Sequence, residues 1–238
     1  MVSQMEQSRK WGISGGTLKI IALVTMIIDH ATAVFIANGD WYMIGRGIGR
    51  LAFPIYCFLI VEGFFHTRNV KKYMARLFLF ALVSEIPFDL AFYDTIFYKG
   101  HQNVFFTLFL GIVLMYLIQT VRNGIDEIQT VKKTAALVAS YVLVFAGAFF
   151  LQADYGMDGV VLILLFYLFH GRMVTIAFLN VLMNVFMGIG GNIQTYGGLS
   201  AIPIAFYNGK KGVSLKYFFY VIYPLHLLVF YAIRKYVG

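Results

Sequence analysis

The chain has 238 residues, of which 60% are apolar and only 13% are charged, and its mean hydropathy is +0.77. Soluble domains contain roughly 45–50% apolar and about 25% charged residues, so this composition excludes a water-soluble globular fold and favours a protein embedded in a lipid bilayer. The net charge of +8 raises nucleic acid as a partner, but the distribution of the basic residues argues against it.

We expect one membrane-embedded domain over residues 1–238, with residues 1–17 as a short cytoplasmic arm, because no linker or internal repeat interrupts the chain. A membrane span needs roughly 20 predominantly apolar residues. The runs that meet this requirement are 18–37, 44–65, 73–93, 103–121, 133–152 and 216–235. Three shorter runs, predicted as half-helices, a re-entrant hairpin or spans at a thinned patch, are 157–169, 173–187 and 198–207. The prediction is an all-α, polytopic membrane bundle with about nine segments.

The orientation is predicted from lysine and arginine residues in short loops, which favour the cytoplasmic side. With a cytoplasmic N-terminus, the basic residues inside are Arg9, Lys10, Lys19, Arg68, Lys71, Lys72, Arg76, Arg122, Lys132, Lys133, Arg172, Lys210, Lys211 and Lys216. The others are Arg46, Arg50, Lys99, Arg234 and Lys235. Basic charge therefore marks topology, which removes the case for nucleic acid, and only the pair at 234–235 departs from the pattern.

Charged residues lie within the long runs, among them Asp29, Arg50, Glu62, Glu85 and Asp89. Each costs roughly 2.5–3.5 kcal/mol at the centre of a bilayer, so these side chains must pair, take up a proton or face a wet cavity. Charge inside a membrane indicates a functional site by default. The alternative is a structural network of ion pairs.

In the first run, Lys19 and His30 are eleven residues apart, which places both on one stripe of a helix and about 16 Å apart along its axis. Lys19, at the cytoplasmic end, is predicted to hold the phosphates of a long anionic cofactor whose far end reaches His30. Histidine is suited to move a proton near neutral pH, so His30 is a catalytic candidate, the alternative being a buried structural histidine. The neighbouring Asp29 points elsewhere and is expected to pair with an arginine of another helix.

The second run begins with three alternating glycines, at positions 45, 47 and 49, which permit close approach of helices. Arg46 and Arg50 lie between and after them. Arg50 is a candidate to bind a carboxylate, a phosphate or a developing oxyanion, and Arg46 is a candidate to bind the cofactor. A structural role accounts for these arginines equally well. We predict that Arg50 lies within hydrogen-bond reach of at least one of Asp29, Glu85 and Asp89.

In the third run, Glu85 and Asp89 are four residues apart across Pro87. Like charges at this spacing repel each other on a helix, so one of the two is expected to be protonated or clamped by Arg46 or Arg50. Paired carboxylates also suit acid–base catalysis, which makes both residues catalytic candidates.

The last run contains His226 after Pro224, a further catalytic candidate, although a lone histidine is more often part of a core. Cys57 is the only cysteine, and no basic residue beside it activates the thiol. The chain has no phosphate-binding P-loop, and no spacing of histidines and cysteines is typical of a metal site.

Most of the chain, from residue 18 to the end, resembles the TraX family, the membrane proteins that acetylate the pilin N-terminus in conjugative systems, and their chromosomal relatives. The blocks that carry the resemblance are 19–22, 26–30, 50–55, 61–64, 84–89, 102–107, 154–156 and 223–226. The ten residues between Lys19 and His30 are also similar to the gap between a basic residue and the catalytic histidine in the wider transmembrane acyltransferases.

The resemblance implies an acetyltransferase of the bacterial inner membrane that takes its acetyl group from cytoplasmic acetyl-CoA and uses no metal. The acceptor is an amine or hydroxyl of a small molecule, a peptide or a pilin N-terminus. Lys19, Arg46 and Arg50 are the candidate acetyl-CoA ligands, and His30 is the base that deprotonates the acceptor. Two alternatives stay open: a transporter of a small anionic or zwitterionic solute, which also needs intramembrane charge, and a non-enzymatic assembly or sensor protein.

Overall fold

A computed structural model describes residues 11–125, 129–213 and 216–237, without the side chains of 216 and 217. Most of the predicted arm, residues 1–10, lies outside the described residues. The α-helices of the described part are α1 Gly15–Phe35, α2 Asp40–Gly49, α3 Ala52–His66, α4 Val70–Tyr93, α5 Val104–Gly124, α6 Thr130–Phe150, α7 Gly156–Leu168, α8 Met173–Met187, α9 Ala201–Ala205 and α10 Lys216–Tyr236. A 3-10 helix, Ile193–Ser200, precedes α9. The predicted all-helical class is confirmed for this part of the chain.

In the described part of the chain, five segments have both the length and the apolar composition to cross a bilayer: Gly15–Phe35, Asp40–His66, Val104–Gly124, Thr130–Phe150 and Phe218–Tyr236. Large apolar side chains cover their outer surfaces, as on α6, where Val142 and Phe150 are 62% and 79% exposed. Such surface requires lipid as its solvent, and the protein is a multi-pass membrane protein. Helix α4 is long enough to span but carries five ionisable residues. These five segments do not confirm the expected number of about nine.

The predicted span 44–65 lies within the segment Asp40–His66, but the helix is interrupted at Arg50 and Leu51, which divides it into α2 and α3. Pro54 causes the break: a proline has no N–H to donate to the carbonyl four residues earlier, which here belongs to Arg50. The three glycines before it add low helix propensity. The break puts Arg50 at the C-terminus of α2, where its side chain turns toward α1.

Helices α7 and α8 have 13 and 15 residues, and at about 1.5 Å per residue neither crosses a core of ~30 Å. The run 198–207 was predicted as one short segment, but it is the end of the 3-10 helix followed by α9. Buried amide and hydroxyl groups join this region to α8: Asn180 donates to Ser200, and Gln194 donates to Asn184, each at 2.8 Å. These hydrogen bonds satisfy polar groups that would otherwise be unpaired within an apolar bundle.

Helices α1 and α10 run parallel, because contacts between them advance together along both chains. Lys19 of α1 lies over the ring of Phe219 of α10. Phe35, sixteen residues further along α1, packs on Phe230, which is eleven residues further along α10. The start of α1 and the end of α10 therefore lie at opposite ends of the bundle, as the predicted topology requires. We call the end that contains Gly15, His66 and Lys211 the mouth end, and the opposite end, which contains Tyr93 and Asp154, the far end.

Candidate functional site

The first and last helices bring two histidines into direct contact. Nδ1 of His30 lies 2.7 Å from Nε2 of His226, and Nδ1 of His226 lies 2.8 Å from the carbonyl oxygen of Ile222. His226 is 6% exposed, whereas His30 keeps part of its surface accessible. Phe92 of α4 and Tyr223 pack edge-on against the ring of His30. The sequence predicted each histidine separately, and the fold makes them one unit.

The hydrogen-bond pattern assigns the tautomers of this histidine pair. A carbonyl oxygen only accepts, so Nδ1 of His226 donates to Ile222, and Nε2 of a neutral His226 is an acceptor. His30 must then donate from Nδ1, which leaves the lone pair on its Nε2 atom free to accept a proton. A proton gained there is stabilised, because the bond between the two rings becomes charge-assisted. The pair is therefore equipped to act as a general base at Nε2 of His30.

A cavity of about 390 Å³ extends from the mouth end toward this pair. Its exposed lining includes His66, Gly209 and Lys211, whereas its inner lining is buried and includes Met26 and Tyr223. Tyr223 touches the ring of His30, and Met26 lies one helical turn before it. The volume of the cavity is in the range of ligand sites, roughly 300–1,000 Å³. The cavity thus connects the solvent at the mouth end with the surroundings of His30.

Three basic residues, Lys19, Arg76 and Lys211, line the cavity. The ammonium group of Lys19 lies 5.9 Å from the ring centre of Phe219, and the guanidinium group of Arg76 lies 5.5 Å from that of Tyr73. The Nε atom of Arg76 is buried without a hydrogen-bond partner. These groups give the mouth of the cavity a positive charge. Sequence reasoning chose Lys19 but counted Arg76 and Lys211 only as loop charges, since their convergence depends on how α4 and residues 209–211 pack.

Among the described residues, Glu62 is the one carboxylate in the lining of this cavity. It is 8% exposed, its side chain lies 2.8 Å from Nε2 of His170, and its backbone carbonyl oxygen accepts from Nδ1 of His66 at 2.8 Å. A histidine of the turn between α7 and α8 is therefore its hydrogen-bond partner. The structure favours a structural role for Glu62.

Asp29 is clamped by two arginines of α2 and its C-terminus. Arg46 Nη1 donates to Oδ2 at 2.8 Å, and Arg50 Nη2 donates to Oδ1 at 2.8 Å. The predicted pairing of Arg50 is confirmed. Gly49 makes the approach possible, because a Cβ atom at this position would overlap the Asp29 side chain, and Gly45 is similarly close to Thr32. Neither arginine is part of the cavity lining described above, so the structure places these two acetyl-CoA ligand candidates elsewhere.

Of the two alternatives expected for Glu85 and Asp89, protonation or a clamp by Arg46 or Arg50, the clamp is not formed, because both arginines bind Asp29. Oε2 of Glu85 accepts from the backbone and side-chain nitrogens of Asn103 at 3.2 and 2.5 Å. Oδ2 of Asp89 accepts from the backbone N–H of Tyr98 at 2.8 Å. The second oxygen of each carboxylate is buried and has no hydrogen-bond partner.

A histidine of the loop before α5 completes the far end. His101 lies between Tyr93, 2.6 Å from its Nδ1, and Asp154, 3.2 Å from its Nε2. The hydrogen bond to Asp154 raises the pKa of His101 above its usual range. Thr107 also donates to the backbone carbonyl of Asp154. The sequence marks positions 154–156 only as part of the family resemblance and contains no signal for His101.

The described residues contain no group of three histidine, cysteine or carboxylate side chains placed to hold a metal ion. What they do contain is a cationic mouth, a cavity that reaches Tyr223 beside the histidine pair, and carboxylate oxygens without hydrogen-bond partners at the far end. This spatial arrangement of side chains is compatible with the transfer of a chemical group from an anionic donor to a second molecule.

Comparison with known proteins agrees with the resemblance seen in the sequence. The family described as TraX protein matches residues 14–234. The probable fimbrial assembly protein FimC, serogroup H1, of Dichelobacter nodosus is 32% identical over 244 aligned residues, which cover 92% of this chain and 95% of that protein. No solved structure matches the chain. With a match over nearly its whole length, the chain belongs to the TraX family.

Proposed function

We propose that the protein is a membrane-embedded acetyltransferase that moves an acetyl group from acetyl-CoA to an acceptor amine or hydroxyl. The family is linked to pilin acetylation, and the relative in Dichelobacter nodosus is named for fimbrial assembly. We accordingly place the protein in the bacterial inner membrane with its mouth end toward the cytoplasm, where acetyl-CoA is made, and we regard a pilin or a related peptide as one possible acceptor.

Donor binding follows from the charges of the mouth. Lys19, Arg76 and Lys211 supply cations for the phosphates of acetyl-CoA, and Arg76 has an unpaired buried N–H to donate. The pantetheine arm then lies in the cavity between apolar and tyrosine side chains, with the nucleotide at the solvent-exposed end. The thioester reaches Tyr223 and Met26, next to His30. The ~16 Å between Lys19 and His30 along α1 separates the group that binds phosphate from the group that reacts.

The chemistry needs one base and one site of positive charge. Nε2 of His30 takes the proton of the attacking amine or hydroxyl, and the pair with His226 stabilises the resulting imidazolium. Arg46 and Arg50 together exceed the charge of Asp29 by one, which leaves net positive charge beside the helix that carries His30 and favours a developing oxyanion. Cys57 is fully buried in the core, so transfer occurs directly and without an acyl-enzyme.

The observation that carries this proposal is the cavity itself, which has a cationic mouth and an inner lining that includes Tyr223, a neighbour of His30. The test is to incubate the purified protein with acetyl-CoA and a panel of amine and hydroxyl acceptors, and to measure free CoA. Release of CoA that depends on acceptor, and is lost in His30→Ala, is expected. A protein that binds acetyl-CoA but releases no CoA with any acceptor would refute the proposal.

An assembly role without chemistry is the second candidate, because the relative is named as a fimbrial assembly protein. It makes a different prediction for the His30→Ala variant. If the protein acts only through binding, this variant supports pilus or fimbria formation as well as the wild type does, provided that it inserts normally into the membrane. If the protein is an acetyltransferase, the His30→Ala variant leaves the pilin subunits of the same cells unacetylated, which mass spectrometry of the pilin detects.

A further inference from the structure

The two ends of the bundle differ in charge. The mouth end presents Lys19, Arg76 and Lys211. Arg46 and Arg50 act electrostatically on His30, and the far end holds the carboxylates of Glu85, Asp89 and Asp154, which we call the far-end carboxylates. Tyr223 connects the two regions, since it lines the cavity, touches His30, and lies close enough to Glu85 and Asp154 to interact electrostatically.

Two of the far-end carboxylates have an oxygen that is buried and unsatisfied. Asp89 is 0% exposed, and its Oδ1 atom has no hydrogen-bond partner. Oε1 of Glu85 is also buried without a partner, although other atoms of that residue reach the surface. Buried carboxylate oxygens are normally matched with donors. The described residues supply no hydrogen-bond donor to these two oxygens.

We propose that Glu85 and Asp89, with Asp154 beside them, bind the primary ammonium group of the acceptor, which thus approaches the histidine pair from the end opposite to acetyl-CoA. This inference rests on the proposed acetyltransferase activity. A primary ammonium carries three N–H donors and one positive charge, which matches two unpaired anionic oxygens with a third carboxylate nearby. An acceptor that reacts through a neutral hydroxyl leaves this charge uncompensated.

The other groups around this site are consistent with a cationic ligand. His101 bridges Tyr93 and Asp154, and Arg50 acts electrostatically on Asp154, so Asp154 is already partly compensated. Glu85 and Asp89 accept hydrogen bonds from neutral groups of Asn103 and Tyr98, and the cation nearest to them is His101 when it is protonated. The residual negative charge is concentrated on these two residues.

This arrangement provides a destination for each proton that the acceptor loses during transfer. The ammonium group loses one proton to a far-end carboxylate, which releases it to solvent, and the neutral amine attacks the thioester carbonyl carbon. The C–N bond forms while Nε2 of His30 takes the second proton. The C–S bond then breaks, and His30 returns that proton to the sulfur of CoA. The products are an acetylated amine, CoA and one proton in solution.

The site is tested by binding, with a lysine-free hexapeptide that has a free α-amine, the same peptide acetylated at its N-terminus, and its analogue with an α-hydroxyl group. In the absence of acetyl-CoA, the purified wild-type protein should bind the peptide with the free α-amine at least about tenfold more tightly than the acetylated peptide or the hydroxyl analogue. Asp89→Asn and Glu85→Gln should each remove this preference. The matched control is Asp94→Asn, an exposed carboxylate 3.6 Å from Arg234, which should keep it.

Each variant is first shown to bind acetyl-CoA with wild-type affinity, which establishes that the bundle is folded. Equal affinity of the wild type for all three peptides, including no binding of any, overturns the proposed site. A preference that survives in Asp89→Asn and Glu85→Gln also overturns it. Release of CoA is measured separately: an intact ammonium preference without CoA release refutes the acetyltransferase proposal alone, whereas CoA release with a preference insensitive to both substitutions refutes the site alone.

Discussion

Replacing His226 with alanine tests whether the two histidines act as one unit. The substitution removes the acceptor that lies 2.7 Å from Nδ1 of His30 and fixes its tautomer. A hydrogen bond to a group that becomes charged contributes about 1.5–3 kcal/mol. At about 1.36 kcal/mol for each factor of ten, we expect kcat to fall by roughly 10- to 150-fold.

The same reasoning predicts the other two variants of a double-mutant cycle. His30→Ala removes the base itself and should lower kcat by about 10²–10⁴-fold. Because His226 acts only through His30, adding His226→Ala to His30→Ala should cause no further loss. The coupling between the two substitutions then equals the whole effect of His226→Ala, about 1.5–3 kcal/mol.

The assay is CoA release by the purified protein in lipid nanodiscs, with kcat and KM determined for acetyl-CoA and for a peptide amine. Leu225→Ala is the control for the packing of α10, since Leu225 is adjacent in sequence and 49% exposed; it should retain wild-type kinetics. A wild-type kcat for His226→Ala would refute the role of the pair. So would a double variant whose loss equals the product of the two single losses, because that result means independent action.

Three further predictions concern other parts of the molecule. Lys19→Gln should raise the KM for acetyl-CoA with little change in kcat, because a phosphate contact is common to the ground and transition states; a fall in kcat alone would contradict this. Gly49→Ala should lower both thermal stability and activity, because a Cβ atom there overlaps Asp29, whereas an unchanged melting temperature would show that α1 and α2 do not approach so closely. The raised pKa of His101 means that the folded state binds its proton more tightly than the unfolded state. This stabilisation is complete below the unfolded value near 6.5 and is lost as pH rises through the folded pKa, so the Tm advantage of the wild type over His101→Gln should shrink from pH 6 upward, and a growing advantage would refute the assignment.

The long helices and the pairing of Asp29 could be predicted from the sequence, because both follow from costs that the bilayer imposes. Twenty apolar residues in a row have few other uses, and a buried arginine requires a carboxylate. The break at Arg50 was missed, although the glycines were recognised, since apolar composition alone continues smoothly through positions 44–65.

The site itself depends on contacts between distant parts of the chain. The histidine pair joins residues 196 positions apart, and the cavity combines charges from α1, α4 and the segment before α10. No local pattern encodes which of several basic residues will converge. The wrong assignment of Arg46 and Arg50 to Glu85 and Asp89 has the same origin, because Asp29 competes for both arginines at a distance that only the packing of α2 on α1 determines.

The most direct measurement follows the acetyl group itself. The purified wild-type protein is supplied with acetyl-CoA labelled with ¹³C in the acetyl group and with a peptide that has a free α-amine, and the peptide is analysed by mass spectrometry alongside free CoA. We predict one labelled acetyl group on the peptide amine for each CoA released, and neither product with His30→Ala. Binding of both substrates by the wild type, with no label on the peptide and no CoA released, would contradict the proposed acetyltransferase.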